Sequence, residues 1–243
     1  MKTKMLLPLL FCFLFSSASY SNIKVGTLFF DPPFVLSLGE GFDIDLTHLL
    51  CKGLNEQCII IPMDFNKLYT ALDDGTIDIA IGGISISPQR EQHYIFTLPY
   101  MLCKRQFMVL KNSTITSVND LSGTTVGVIE GDPQGGVSYH YLLDTYGGKF
   151  KITQFNDMED LVTALNNNQI SAAFLHRSSV VYWVENGGGQ FKAIGDVLTL
   201  GDGIGIMSLP KNQALIQRIN QLLETMEKDN VYLSLYKTYF SEE

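Results

Sequence analysis

The sequence predicts an α/β protein made of two similar lobes. Apolar segments of strand length alternate with amphipathic segments of helix length along most of the chain. Two short patterns from the first half recur in the same order in the second half. Of the 243 residues, 46% are hydrophobic and 17% are charged, a composition that excludes an intrinsically disordered chain.

The N-terminal segment has the order of a secretory signal peptide. Lys2 and Lys4 give it a basic start, residues 5–15 are an unbroken apolar run, and residues 16–21 are mostly small. A buried N-terminal helix is the alternative, but the run shows no amphipathic period. Because the run is too short to span a bilayer, we expect a protein exported to the periplasm.

The four cysteines fit an exported protein. Phe11 precedes Cys12, where a lipid anchor requires a small residue, so we expect no anchor. Cys51 and Cys58 lie seven residues apart, at the end of a predicted helix and the start of a predicted strand. In an oxidising compartment they should form a disulfide that contributes roughly 2–3 kcal/mol, and two buried thiols are the alternative. Cys103 is expected to be a buried free thiol.

Strands and helices alternate in the predicted first lobe. One helix begins at Phe42, where apolar residues recur at helical spacing, and Asp64 is placed to cap the next. The predicted strands are 23–28, 58–62 and 77–81, and the predicted helices are 42–50 and the segment from Asp64 to near Gly75.

The second lobe is predicted from two internal echoes. Residues 25–32 and 126–133 share Val-Gly and Asp-Pro at the same spacing. Residues 68–80 and 161–173 share a Leu-x-Thr-Ala-Leu helix segment followed by an apolar strand. The order is the same in both halves, so a strand is expected at 126–129, where the series of elements begins again.

The end of the chain is expected to return to the first lobe. After Pro210, apolar residues follow a helical period, and a second short helix is predicted at 231–240. The apolar runs 107–110 and 204–207 are the predicted crossovers between the lobes. The predicted domains are a signal peptide at 1–21, the first lobe at 22–109 and 204–243, and the second lobe at 110–203.

A ligand is expected in the cleft between the lobes. In open α/β sheets, ligands lie beyond the carboxyl ends of strands, and two facing lobes can close around them by a hinge motion. The loops that this rule selects are 29–34, 82–90, 131–136 and 175–177.

Arg90 is the most informative candidate in these loops. Ser87 and Pro88 are typical of a helix start, and a cation in the first turn opposes the helix dipole. Two interpretations stay open: a solvated surface arginine, or a fork of N–H donors for a ligand carboxylate. Ser85 would add a hydroxyl group, and Gly83 would allow a close approach of the backbone.

Four further side chains are candidates with an equally plain structural alternative. Asp31 and Asp132 both precede proline, which is typical of a helix N-cap, or else they attract a cationic ligand across the cleft. Phe65 would stack on a ligand or pack in the core. His176 should point into the cleft, as a contact or as a structural histidine. No spacing suggests a metal site, a cofactor or a nucleophile, so we expect none of them.

Five short motifs stand in a familiar order: Gly41-Phe42-Asp43-Ile44-Asp45-Leu46, Cys51 with Cys58, Asp64-Phe65, Gly75-Thr76-Ile77-Asp78 and Ser85-Ile86-Ser87-Pro88-Gln89-Arg90. In this order the chain resembles the periplasmic solute-binding proteins of family 3, the polar amino-acid receptors of ABC importers. It is most similar to the arginine/lysine/ornithine/histidine-binding members, which carry a similar short disulfide. The resemblance implies a type II periplasmic-binding-protein fold, with two lobes joined by two crossover strands.

The resemblance also implies roles for single residues. Arg90 and Ser85 would hold the α-carboxylate, Gly83 would offer backbone contacts, Phe65 would stack on the side chain, and Gln134 would lie near the ligand.

The sequence departs from the family at the ammonium site. His176 stands where the family usually has an aspartate that binds the α-amine. Asp132 and Pro133 stand where small hydroxyl residues are usual. We therefore hypothesise that Asp31 or Asp132 replaces the missing acid.

The expected function is an exported receptor that captures a polar, basic amino acid of the arginine/lysine type and delivers it to an ABC importer. The expected partners are the free amino acid and the membrane permease. We expect a monomer, because a hinge-closing receptor works naturally as one. We expect no binding to nucleic acid, because the net charge is −8. The alternative is a dehydratase-like enzyme on the same fold, with His176 as general acid or base.

Overall fold

The computed structural model describes residues 22–129 and 136–240. The predicted signal peptide, Asp132 and Gln134 lie outside the described residues. The strands are β1 Ile23–Thr27, β2 Cys58–Pro62, β3 Ile79–Ala80, β4 Ile95–Phe96, β5 Lys104–Leu110, β6 Thr125–Ile129, β7 Lys151–Phe155, β8 Ala172–His176, β9 Phe191–Thr199 and β10 Met207–Ser208. The helices are α1 Phe42–Leu54, α2 Phe65–Asp73, α3 Gly136–Tyr146, α4 Met158–Asn166, α5 Arg177–Asn186, α6 Gln213–Lys228 and α7 Val231–Tyr239.

The strands form two five-stranded sheets of the same plan. The orders are β2-β1-β3-β10-β4 and β7-β6-β8-β5-β9, so β1 and β6 occupy the same place. In each sheet the first three strands are parallel, the fourth is antiparallel to its two neighbours, and the fifth again runs in the direction of the first three. We call the first sheet with α1, α2, α6 and α7 the first lobe, and the second sheet with α3, α4 and α5 the second lobe. β5 joins the second sheet at Lys104, ahead of the predicted boundary at 109.

The Val-Gly echo has a packing reason that is the same in both lobes. A Cβ on Gly26 in β1 would overlap the Cδ1 atom of Ile77, the residue that leads into β3. In the second lobe, a Cβ on Gly127 in β6 would lie 2.6 Å from the Cδ1 atom of Ile170, which leads into β8. Each isoleucine is buried and fills the space above its glycine, so a larger residue at the glycine would displace it.

The C-terminal helices return to the first lobe, as predicted. The ring of Phe42, at the start of α1, is fully buried and lies 4.9 Å between centroids from Phe240. The tyrosines around Phe42 are Tyr100, Tyr232, Tyr236 and Tyr239, each within 6.4 Å between centroids. Buried apolar residues of α6, including Ile216 and Ile219, complete the same core.

Two predicted elements differ by three or more residues in length from those observed. α1 continues to Leu54, where buried Leu54 joins the core shared with α6, and Asn55 then ends the helix in the left-handed conformation with a φ of 56°. The third strand is shorter than predicted, because regular pairing is confined to Ile79–Ala80. Among the described residues, none of the helices combines the length and the apolar character needed to cross a membrane.

The predictions for Cys51, Cys58 and Cys103 are confirmed, and Cys12 lies outside the described residues. Cys51 and Cys58 form a disulfide between α1 and β2, with their Cα atoms 6.1 Å apart. Cys103 is a buried free thiol.

Removing this disulfide is expected to destabilise the protein. In a Cys51→Ala/Cys58→Ala variant the free energy of unfolding should fall by about 2–3 kcal/mol, because the short loop no longer restricts the unfolded chain. Calorimetry should show a melting temperature lower by roughly 5–10 °C. A reductant should cause a similar fall in the wild-type protein and leave the variant unchanged. A wild-type melting temperature that ignores the reductant contradicts the prediction.

Candidate functional site

A cavity of about 50 Å³ lies between the lobes, at the carboxyl ends of β1, β6 and β8. We call it the inner chamber. All six predicted site residues that the structure describes line it, namely Asp31, Phe65, Gly83, Ser85, Arg90 and His176. The other two, Asp132 and Gln134, lie outside the described residues. The chamber also takes in Arg105 and Ser138, neither of which the sequence singled out.

Arg90 is buried in the wall of the inner chamber. Its side chain is only 5% exposed, so the surface interpretation is wrong. Nη1 donates to the carbonyl oxygen of Ser85 at 2.6 Å, and the guanidinium lies 5.7 Å from the ring centroid of Phe65 and 5.8 Å from that of Tyr69. This anchoring holds the planar guanidinium group beside the cavity, and a planar guanidinium matches the geometry of a carboxylate.

The predicted helix start at Ser87 is present, since the Ser87 carbonyl oxygen accepts from the backbone N–H of Glu91 at 3.0 Å, but the helix is only one short turn. Residues 88–89 form a turn, and only the three-residue 3₁₀ helix Arg90–Gln92 follows. Ser87 Oγ accepts a long hydrogen bond from the backbone N–H of Arg90 at 3.4 Å. Since such a short helix has little dipole, Arg90 pays no appreciable helix-dipole penalty.

Gly83 is held from both sides of the cleft. Its backbone N–H donates to Asp43 Oδ2 at 2.9 Å, and its carbonyl oxygen lies 2.8 Å from His176 Nε2. Gly83 has a φ of 61°, and a Cβ there would lie 3.3 Å from that Nε2 atom. Glycine is therefore required at this left-handed position between the lobes.

His176 is a neutral contact between the lobes. Burial lowers its pKa well below the usual 6.5, and the positive charge of Arg105 lowers the pKa further. A carbonyl oxygen can only accept a hydrogen bond, so Nε2 carries the proton that it donates to Gly83. The prediction that His176 points into the cleft is confirmed.

Asp31 is a buried acid at the end of β1. The Asp-Pro pattern predicted that Asp31 caps a helix, and this prediction is wrong. The backbone N–H and C=O of Asp31 both pair with Val35 in a tight turn. Its side chain is 8% exposed, and burial raises its pKa to about 7, against the opposing effect of Arg105. Within the described part of the chain, Oδ1 has no hydrogen-bond partner. Asp31 is thus placed to accept a hydrogen bond from a cationic group.

Asp43 supports the site from behind, a role that sequence reasoning missed. It is fully buried, and Oδ2 accepts from both the Gly83 backbone and the Tyr100 hydroxyl, the latter at 3.1 Å. Burial raises its pKa to about 7, while these two hydrogen bonds oppose the rise. The Gly-Phe-Asp motif marked this residue, but only the fold brings it under Gly83.

Arg105 was also missed, because the sequence presents it as part of a connecting strand. It lies in β5 opposite His176 in the neighbouring strand β8. Nε donates to Ser138 Oγ at 3.0 Å and Nη2 donates to Ser85 Oγ at 2.9 Å. The inner chamber is therefore bordered by two guanidinium groups, those of Arg90 and Arg105.

A second, larger cavity of about 170 Å³ continues from the first, and we call it the outer chamber. The two share Asp31, Phe65, Ile129 and Met158. The outer chamber adds three acidic side chains and no lysine or arginine among the described residues that line it. These acids are Asp64, which pairs with Lys67, Asp157, which caps α4 through Oδ1, and Glu159. Among the described lining residues, the inner chamber thus has the two guanidinium groups beside Asp31, and the charged groups that the outer chamber adds are all acidic.

The described residues contain no group of three His, Cys, Asp or Glu side chains that could hold a metal ion.

Comparisons with known proteins agree with this architecture. The family model for bacterial extracellular solute-binding proteins, family 3, matches residues 23–242. The putative ABC transporter arginine-binding protein 2 of Escherichia coli K12 is 27% identical over 100% of both chains. The arginine-binding extracellular protein of Bacillus subtilis is 30% identical, over 94% of this chain and 89% of its own.

Solved structures agree as well. The crystal structure of an arginine 3rd transport system periplasmic binding protein from Legionella pneumophila has a TM-score of 0.84 and 32% identity, over 90% of this chain and 99% of its own. The predicted type II periplasmic-binding-protein fold and the predicted family resemblance are confirmed, and a solute-binding receptor is favoured over the enzyme alternative. The chain belongs to the bacterial extracellular solute-binding proteins of family 3.

Proposed function

We propose that this receptor captures a basic amino acid of the arginine/lysine type between its lobes and delivers it to the permease of an ABC importer. The polarity of the cleft carries the proposal. A basic amino acid has an anionic carboxylate at one end and a cationic side-chain group at the other. The guanidinium groups of the inner chamber would face the carboxylate, and the acidic groups of the outer chamber would face the side-chain cation.

The inner chamber suits the α-carbon end of the ligand. Its small volume of about 50 Å³ fits a carboxylate and an ammonium group rather than a long side chain. Arg90 and Ser85 would bind the carboxylate. Asp31 would bind the α-ammonium group, because His176 stands where the family usually has the aspartate for that role. Asp31 borders both chambers, which places it between the two ends of the ligand.

The outer chamber suits a long cationic side chain. Phe65 borders both chambers and would stack on the methylene groups or on a guanidinium plane. Asp157 and Glu159 would face the terminal cation, at a site more exposed to solvent than Asp31. Relatives named for binding arginine support this ligand class.

The proposed setting is the periplasm, with the free amino acid and an ABC permease as partners and a monomer as the working form. The enzyme alternative would use His176 in acid–base catalysis. His176 Nε2 is engaged with Gly83, and family membership supports binding without turnover. Ligand recovered unchanged after overnight incubation is the expected result.

A ligand panel tests the proposal. Protein freed of bound ligand by unfolding and refolding is titrated with L-arginine, L-lysine, L-glutamine and L-glutamate. A basic amino acid should bind at least tenfold more tightly than glutamine, its neutral control. At 100 times its Kd it should stabilise the fold by about 2.7 kcal/mol, which raises the melting temperature by several degrees. Tighter binding of glutamine or glutamate would sink the proposal.

The protein contains its own reporter of closure for this panel. Trp183 is the one tryptophan of the sequence and lies in α5 of the second lobe. Its ring meets Phe30 of the first lobe edge-on, 6.2 Å between centroids. Opening the cleft separates the two rings, so ligand-induced closure should change the tryptophan emission.

A further inference from the structure

We propose that Arg105 is a second carboxylate-binding residue, which holds the ligand α-carboxylate jointly with Arg90. The inference rests on the proposed function, since it requires an amino acid in the inner chamber. It adds a ligand contact that neither the sequence motifs nor the family resemblance assigns.

The first observation is that Arg105 is a buried cation with only neutral hydrogen-bond partners. Its side chain is 7% exposed, and the hydroxyl groups of Ser138 and Ser85 accept from Nε and Nη2. Among the described residues, no carboxylate lies within ion-pair distance of it. A buried charge is costly unless an anion offsets it, so a ligand anion beside Arg105 would lower that cost.

The second observation is an unused donor. Nη1 of Arg105 is buried and has no hydrogen-bond partner within the ranges that the structure describes. The residue borders the inner chamber, and the two serine hydroxyls fix the plane of its guanidinium. A fixed buried donor beside a cavity costs free energy in the empty protein, and that cost is recovered when a ligand acceptor arrives.

The third observation is that both guanidinium groups meet at one residue. Arg90 donates to the carbonyl oxygen of Ser85, and Arg105 donates to the hydroxyl oxygen of the same residue. The nearness of Arg90 contributes to lowering the pKa of Arg105, after the larger effect of burial. A carboxylate has two oxygens and one negative charge, so it can accept from both groups and offset their repulsion.

The nearby acid Asp31 does not take this place. Its charge acts on Arg105, but the two side chains form no ion pair within 4 Å. Burial raises the pKa of Asp31 to about 7, in spite of Arg105. A zwitterion between the two would satisfy both residues, with its ammonium on Asp31 and its carboxylate on Arg105 and Arg90.

The test compares two ligands that differ only at the carboxylate. L-argininamide keeps the α-ammonium and the guanidinium of L-arginine but replaces the carboxylate with a neutral amide. In Arg105→Gln the affinity for L-arginine should fall about 10- to 100-fold, while the affinity for L-argininamide should change less than about threefold. Titration calorimetry measures both, with weak ligands measured by competition.

Two further variants separate this role from a structural one. Lys104→Gln removes the same charge from the neighbouring position of β5, which borders a different cavity, and should leave both affinities unchanged. Arg105→Lys keeps the charge without the planar fork and should recover part of the preference for L-arginine.

The outcomes are distinct. Equal losses for both ligands in Arg105→Gln assign Arg105 to the fold and overturn the inference, as does the absence of any loss. Wild-type protein that does not bind L-arginine contradicts the proposed function itself, and the inference falls with it.

Discussion

Replacing Arg90 with glutamine is expected to weaken the binding of L-arginine by about 1,000-fold. Arg90 is anchored in the wall of the inner chamber by the Ser85 carbonyl and by the rings of Phe65 and Tyr69. Removing one partner of a buried, hydrogen-bonded charge pair costs about 2–5 kcal/mol, because the ligand carboxylate loses the planar fork of N–H donors that Arg90 supplies. Titration calorimetry of the refolded variant measures the loss.

The control for this variant is another arginine that lies outside the cleft. Arg218 pairs with Glu56 on the surface at 3.3 Å, so Arg218→Gln should bind L-arginine with wild-type affinity. Melting temperatures show whether both variants are folded. A loss of less than tenfold in a folded Arg90→Gln protein contradicts the assignment of the carboxylate site.

The affinity for L-arginine is expected to depend on pH through Asp31. Burial raises the pKa of this carboxyl to about 7, so below pH 7 the empty receptor holds a proton there. Binding an ammonium group favours the ionised carboxylate, and the proton must then leave. The Kd should therefore rise by up to about tenfold for each pH unit below 7 and be constant above it.

Asp31→Asn should remove both the charge and its pH dependence. At pH 8 we expect about 100-fold weaker binding, and between pH 5.5 and 8 a nearly flat profile. Asp43 also has a pKa raised to about 7, but it faces Gly83 and Tyr100 rather than the chamber. If the variant keeps the wild-type pH profile, the titrating group is Asp43 and the role of Asp31 is wrong.

The elements of the fold show what local pattern can predict. The helical period at Phe42 and the apolar strand at Cys58–Pro62 depend on neighbours within a few residues, and both are observed. The end of α1 depends on packing against α6, so the sequence placed it at residue 50 instead of Leu54. Element identity is thus a local property here, and element length is partly a tertiary one.

The residues of the candidate site also differ in whether a local pattern or only the tertiary structure reveals them. Ser85 and Arg90 were recognisable because their motif is contiguous, but the burial of Arg90 depends on the rings of α2. The Asp-Pro pattern at Asp31 predicted a helix cap, but the backbone of Asp31 pairs with Val35 in a turn instead. Arg105 gave no signal, because it reaches the chamber only through the pairing of β5 with β8.

The sequence by itself determined the two-lobed α/β plan, the disulfide, the family and the arginine–serine anchor, since each rests on short-range pattern or a contiguous motif. Only the tertiary structure decided which charges are buried and which face each other. Three features join residues that are far apart in the chain. They are the opposite charges of the two chambers, the neutral His176 contact with Gly83, and the shared hydrogen-bond partner Ser85 of Arg90 and Arg105. Their free energies depend on burial and distance, which arise only when the two lobes meet.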